Sequence, residues 1–152
     1  MSIMSDSDRA QLLEDAGFLL DKGYVLTNVD EHGFRLVQGN IMFSVSYERY
    51  EDSGDISIRF LHENKVFLVS WLSNILDKDT NDSIHRLLDR KLKSTPPDQV
   101  EEQSTDYSDF DNLRKLLMVV KDNYDDLLDI NFCRITEEES TALYRLWVEK
   151  NS

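Results

Sequence analysis

The chain has 152 residues, 40% of them apolar and 31% charged, which is enough for one domain with one sizeable core. Thirty acidic side chains against seventeen basic ones give a formal net charge of -13. Such a surface repels nucleic acid and anionic membranes and attracts cationic surfaces, so both are excluded as expected partners.

The first residues, MSIMSDSDRAQ, carry no basic stretch followed by an apolar one, so no signal peptide is expected. The apolar runs are a few residues long, against the ~20 needed to span a bilayer. The expected location is the cytoplasm. The lone Cys133 fits a reducing compartment and reads as a small core residue.

Asp6, Ser7 and Asp8 can cap a first helix. Leu12, Leu13, Ala16, Leu19 and Leu20 recur at helical spacing, and Gly23 is a stop, so a helix is predicted from about Ser7 to Lys22. From Tyr24 the period changes to two. Strands are predicted over Tyr24 to Val29 and Phe34 to Gln38, with Glu31-His32-Gly33 turning between them. Gly39-Asn40 is a two-residue hairpin signal. Ile41, Phe43, Val45 and Tyr47 then alternate with polar or flexible neighbours in a half-buried strand. Ile56, Ile58 and Phe60 mark a fourth strand, and Val66 to Trp71 a fifth. Connections this short require antiparallel pairing, hence a meander of four or five strands with one face to be covered by helices.

Beyond Trp71 the helical period returns. Ile84, Leu87, Leu88 and Leu92 make one stripe, ended by Ser94-Thr95-Pro96-Pro97. Residues 95–108 are polar and proline-bearing and read as a mobile loop. A helix is predicted from about Asp109 to Asp129, with Leu113, Leu116, Leu117, Val120, Tyr124, Leu127 and Leu128 on one face. Ile130 to Ile135 reads as a last short strand. Thr136 and Glu139 form a capping box for a final helix with Leu143, Leu146 and Trp147 inside. The expected fold is α+β: an N-terminal helix, an antiparallel meander, then three helices over one face, in a single domain spanning 1–152.

Catalytic signatures do not emerge. There is no GxSxG elbow, no SxxK pair, no GxGxxG and no P-loop. Asp77, Asp79, Asn81 and Ser83 begin like a calcium loop, but Asp82 and Leu88 stand where it needs glycine and glutamate. His32, His62 and His85 are scattered without zinc spacing. The expectation is a non-enzyme with no metal and no cofactor. The local basic cluster of Arg86, Arg90, Lys91 and Lys93 suits the C-terminal end of its helix and reads as structural.

Two acidic stretches remain. Tyr47, Glu48, Tyr50, Glu51, Asp52 and Asp55 cluster at a strand end and hairpin tip. Asp122, Asp125, Asp126 and Asp129 lie opposite the leucines of the predicted helix. Each reads either as a solvated face or as a docking surface for a basic protein. Tyr47 and Tyr50 sharpen the second reading, since tyrosine beside carboxylates suits an anchor that grips arginine or lysine.

The segments Leu19-Leu20-Asp21-Lys22-Gly23-Tyr24, Phe43-Ser44-Val45-Ser46-Tyr47-Glu48-Arg49-Tyr50 and Asp55-Ile56-Ser57-Ile58-Arg59-Phe60 together carry a resemblance over about residues 8 to 71. The chain resembles the small acidic immunity proteins encoded beside bacterial polymorphic and contact-dependent toxins. The resemblance implies a protein that binds one cognate toxin domain and blocks it. It assigns no role to individual residues. The charge then points to a basic toxin, plausible targets being nucleases, bound by a monomer or weak homodimer. Two alternatives share the same charge: a nucleic-acid mimic from a phage or mobile element, and an acidic adaptor domain whose charge gives solubility.

Overall fold

A computed structural model describes residues 4–47, 54–77 and 109–151. The first helix, α1 (Asp6–Asp15), is capped by Ser5, whose Oγ accepts the Asp8 N–H at 3.1 Å. The cap thus sits one residue before Asp6-Ser7-Asp8. The helix predicted through to Lys22 breaks at Ala16 and resumes as α2 (Gly17–Asp21). Glycine lowers the helical preference at that point, and Ala16 is fully buried where the chain bends. Gly23 ends the run at φ +99°, the left-handed conformation that glycine adopts without strain.

Five strands follow: β1 (Val25–Thr27), β2 (Gly33–Gln38), β3 (Ile41–Tyr47), β4 (Gly54–Phe60) and β5 (Lys65–Leu68). They pair antiparallel in sequence order, β1-β2-β3-β4-β5. Gln38 pairs with Ile41, so Gly39-Asn40 is the two-residue connection, with Gly39 at φ +56°. The register places Phe34, Val45 and Ile56 in one row and Leu36, Phe43, Ile58 and Phe67 in the next. All seven are buried, so the alternating pattern delivers one continuous apolar face. β1 is shorter than predicted because Tyr24 turns into the core, 5.6 Å from the Phe43 ring, and Asn28 takes φ +51°.

The fifth strand stops at Leu68, and α3 (Val69–Leu76) begins where strand was predicted to continue. Its N-cap residue, Leu68, has no side chain that can cap. The acceptor comes instead from β4: Asp55 receives the Ser70 N–H at 3.2 Å and the Ser70 hydroxyl at 2.5 Å. The predicted helix over 84–92 and the polar loop over 95–108 lie outside the described residues.

Three helices close the chain: α4 (Asp109–Asp122), α5 (Tyr124–Leu127) and α6 (Ile130–Asn151). The helix predicted without interruption to Asp129 breaks at Asn123, whose side-chain amide donates to the Val119 carbonyl at 2.9 Å. Ile130 to Ile135, predicted as strand, is the opening of α6. Asp129 caps it, accepting the Asn131 N–H at 2.9 Å. Thr136 therefore lies inside a helix, buried, and caps nothing. Leu146 is exposed, contrary to its predicted inward place, while Leu143 and Trp147 are half-buried.

The architecture is α+β, with the N-terminal helix, the five-stranded antiparallel sheet and the C-terminal helices packed on the sheet. Leu113, Leu117 and Val120 of α4, Leu127 of α5 and Cys133 of α6 join the sheet residues in one core. Against α3, α6 packs through hydrogen bonds: Ser140 donates to the Trp71 carbonyl at 2.6 Å and accepts from Asn74 at 3.1 Å. No helix among the described residues is long and apolar enough to cross a membrane.

Candidate functional site

Of the hairpin-tip stretch the structure describes Tyr47 and Asp55. Glu48, Tyr50, Glu51 and Asp52 lie outside the described residues. Tyr47 is 6% exposed, and its hydroxyl donates to Asp8 at 3.0 Å, tying β3 to α1. It is a core tyrosine with a satisfied tip, and the expectation of a surface anchor there is corrected.

Asp55 is likewise committed. It is half-buried, and beyond its two bonds to Ser70 it accepts its neighbour's amide, that of Ile56, at 2.7 Å. Burial raises its pKa above the ordinary aspartate value, and the Ser70 and Ile56 bonds offset part of that rise. A carboxyl with a raised folded-state pKa contributes stability that is full below the unfolded value and is lost as pH rises through the folded one. Asp55→Asn keeps an acceptor for the Ser70 amide and carries no charge. Its stability relative to wild type is therefore expected to improve from acid to neutral pH. Asp55→Ala removes the cap and is expected to cost about 1–2 kcal/mol. Urea unfolding of both variants at two pH values checks this; a pH-independent difference for Asp55→Asn contradicts the assignment.

The second stretch divides. Asp129 is exposed, but its carboxylate is engaged as the α6 cap. Asp122 ends α4, and Asp125 and Asp126 stand in the first turn of α5. All three are exposed, and among the described residues none makes an ion pair. Arg114 holds Asp15 at 2.7 Å and Lys115 holds Asp77 at 3.4 Å, while Lys22 and Lys121 lie on the same side of the fold as the trio.

These aspartates border a cleft of about 490 Å³ between α2 and the α4–α5 junction, lined also by Phe18, Lys22, Lys121, Asn123 and Tyr124. A second cleft of about 470 Å³ adjoins it through Phe18 and Lys121 and runs up α4 past Met118, which is 58% exposed. Tyr124, half-buried, lines the first cleft. Its ring meets Phe18 edge-on with centroids 6.4 Å apart, its hydroxyl lies 3.0 Å from that of Tyr24, and Lys22 Nζ sits 4.6 Å over its face. Sequence reasoning assigned Tyr124 to the buried stripe and passed over Phe18 and Lys22. The overlooked signal is the Tyr-Asp-Asp run directly after Asn123.

Asp55 and Asp122 stand well apart along α4. Asn112 of α4 donates to the Gly54 carbonyl beside Asp55, and Asp122 follows ten residues later. At 1.5 Å per residue that is about 15 Å along the helix.

Cys133 is fully buried, 3.3 Å from the Leu127 carbonyl, and burial pushes its thiol up to about 12, with Asp129 and Glu137 adding to the shift. A thiol so held is a poor nucleophile. Among the described residues no group of three or more His, Cys, Asp or Glu is placed to hold a metal ion. Comparison with family models, curated proteins and solved structures finds no match for this chain.

Proposed function

We propose that this chain is a non-enzymatic binding protein that neutralises a basic bacterial toxin by capturing it on an acidic face, as immunity proteins do. The observation that carries the reading is the exposed trio Asp122, Asp125 and Asp126, without ion pairs among the described residues and set beside an open cleft. Capture is speeded by long-range attraction between the net charge of -13 and a cationic partner, and occlusion of the partner's own cationic site blocks it. A nucleic-acid mimic instead needs carboxylates at phosphate-like spacing along one extended face. On α4 the acids are interleaved with Arg114, Lys115 and Lys121, which favours a compact patch.

The test is to sequence the flanking genes and measure, by calorimetry at low and high salt, binding of the full chain to any high-pI toxin domain they encode. Association is expected to weaken at least tenfold as salt rises from about 0.05 to 0.5 M, because exposed charges more than a Debye length apart are screened. Reversing the trio (Asp122→Lys, Asp125→Lys, Asp126→Lys) is expected to abolish it. A neighbouring toxin that fails to bind, or binds with no dependence on salt or on the trio, removes the basis of the proposal.

A further inference from the structure

The tyrosine that stands beside free carboxylates in this fold is Tyr124, and its ring already carries a cation. Lys22 Nζ lies 4.6 Å from the ring centroid, within the distance at which an ammonium is held by an aromatic face. Lys22 is exposed and makes no ion pair among the described residues. Its place on the ring is therefore a weak intramolecular contact that an incoming cation can replace. The ring itself does not move freely. Phe18 closes one edge, the Tyr24 ring stands at 78° with centroids 6.3 Å apart, and the hydroxyl is fixed by Tyr24.

We propose that the cleft between α2 and α5 is a seat for one arginine side chain of a protein partner, with Lys22 as its displaceable stand-in. Tyr124 offers the face and Asp122, Asp125 and Asp126 the counter-charge. Arginine fits better than lysine because a planar guanidinium stacks on an aromatic ring while its edges bond carboxylates in pairs. The adjoining cleft, lined by Phe18 and the exposed Met118 among charged side chains such as Asp15 and Asp111, extends the contact beyond that arginine. The occupant is thus a basic segment of a folded protein that presents this arginine. This rests on the capture reading above and names where on the surface it occurs.

The test uses amide NMR of the full chain, titrated with the peptide acetyl-Gly-Arg-Gly-amide and with the same peptide carrying uncharged citrulline. The arginine peptide is expected to shift resonances at Phe18, Lys22, Tyr124, Asp125 and Asp126, and the citrulline peptide to leave them in place. Lys22→Met removes the competitor and is expected to tighten the arginine peptide roughly two- to five-fold. Tyr124→Leu changes no charge and is expected to weaken it by a similar factor. Tyr124→Phe keeps the ring, loses only the bond to Tyr24, and is expected to bind like wild type. Shifts spread evenly over all acidic residues, equal response to both peptides, or a Tyr124→Leu variant that binds like wild type overturns the seat. If the seat fails while the neighbouring toxin still binds with salt dependence, the capture reading stands elsewhere on the surface. If the seat holds and no basic toxin binds, the capture reading is the one that falls.

Discussion

Gly33→Ala is expected to abolish cooperative folding at 25 °C. A Cβ at Gly33 would lie 2.0 Å from the Val45 carbonyl oxygen and 2.7 Å from the Ser46 Cα. Both are backbone atoms of β3, the middle strand, so no side chain can swing aside. Relief requires opening the β2–β3 ladder from its first pair, Gly33 with Ser46. The approach to that pair is also fixed. The Asp30 carboxylate accepts the His32 and Gly33 amides at 2.8 and 3.0 Å, and the Tyr47 amide donates to the His32 carbonyl at 2.8 Å. A clash held from both sides falls among the substitutions that cost more than about 4 kcal/mol, against a total stability on the order of 5–15 kcal/mol. Gly17→Ala is the control, since a Cβ there meets nothing within 4 Å, and it is expected to be neutral or to stabilise by up to about 1 kcal/mol. Circular dichroism during urea unfolding separates the outcomes. A Gly33→Ala midpoint close to wild type is incompatible with this strand register.

Phe43→Ala is expected to cost about 3–5 kcal/mol, the range for emptying a fully buried aromatic site. Phe43 is 0% exposed at the centre of the sheet, between Leu36 and Ile58, with the Tyr24 ring tilted above it at 58°. Neighbours on three sides are themselves strands or a fixed ring, so the cavity cannot collapse. Loss of the aromatic pair with Tyr24 belongs to that cost. Phe43→Leu keeps most of the volume and is expected to cost less than about 1.5 kcal/mol. The reading is the urea midpoint at constant slope, which isolates stability from changes in the unfolded chain. A loss under about 1 kcal/mol for Phe43→Ala places Phe43 outside the core.

The two substitutions differ in how visible they are before folding. Phe43 belongs to the Ile41-Phe43-Val45-Tyr47 alternation, and period two is read directly as a half-buried strand. Gly33 reads as a turn glycine, because nothing local reveals that another strand passes within van der Waals contact of its Cα. The same division explains the helices. The run Val66-Phe67-Leu68-Val69 has no period, so strand and helix cannot be told apart from it. The choice is made by Asp55, fifteen residues before Ser70, which supplies the cap that Leu68 lacks. In α6 the inner face carries Cys133, Thr136 and Ser140, of which two are polar, and Ser140 finds its partners on α3. An apolar stripe was therefore missing, and the β-prone letters Ile130 to Ile135 pointed the wrong way.

Acidity, the order of the five strands and the left-handed stops at Gly23 and Gly39 are properties of local chemistry, and each is legible along the chain. Which carboxylates remain free is not. Asp55 and Asp129 look no different from Asp122, Asp125 and Asp126 in composition or spacing. The first two are claimed by helix amides, and in the case of Asp55 that amide comes from a distant segment. A hydrogen bond between groups far apart in the chain exists only once the sheet and helices have met. For that reason Asp55 and Asp129 leave the candidate surface, whereas Asp122, Asp125 and Asp126 beside Tyr124 remain in it.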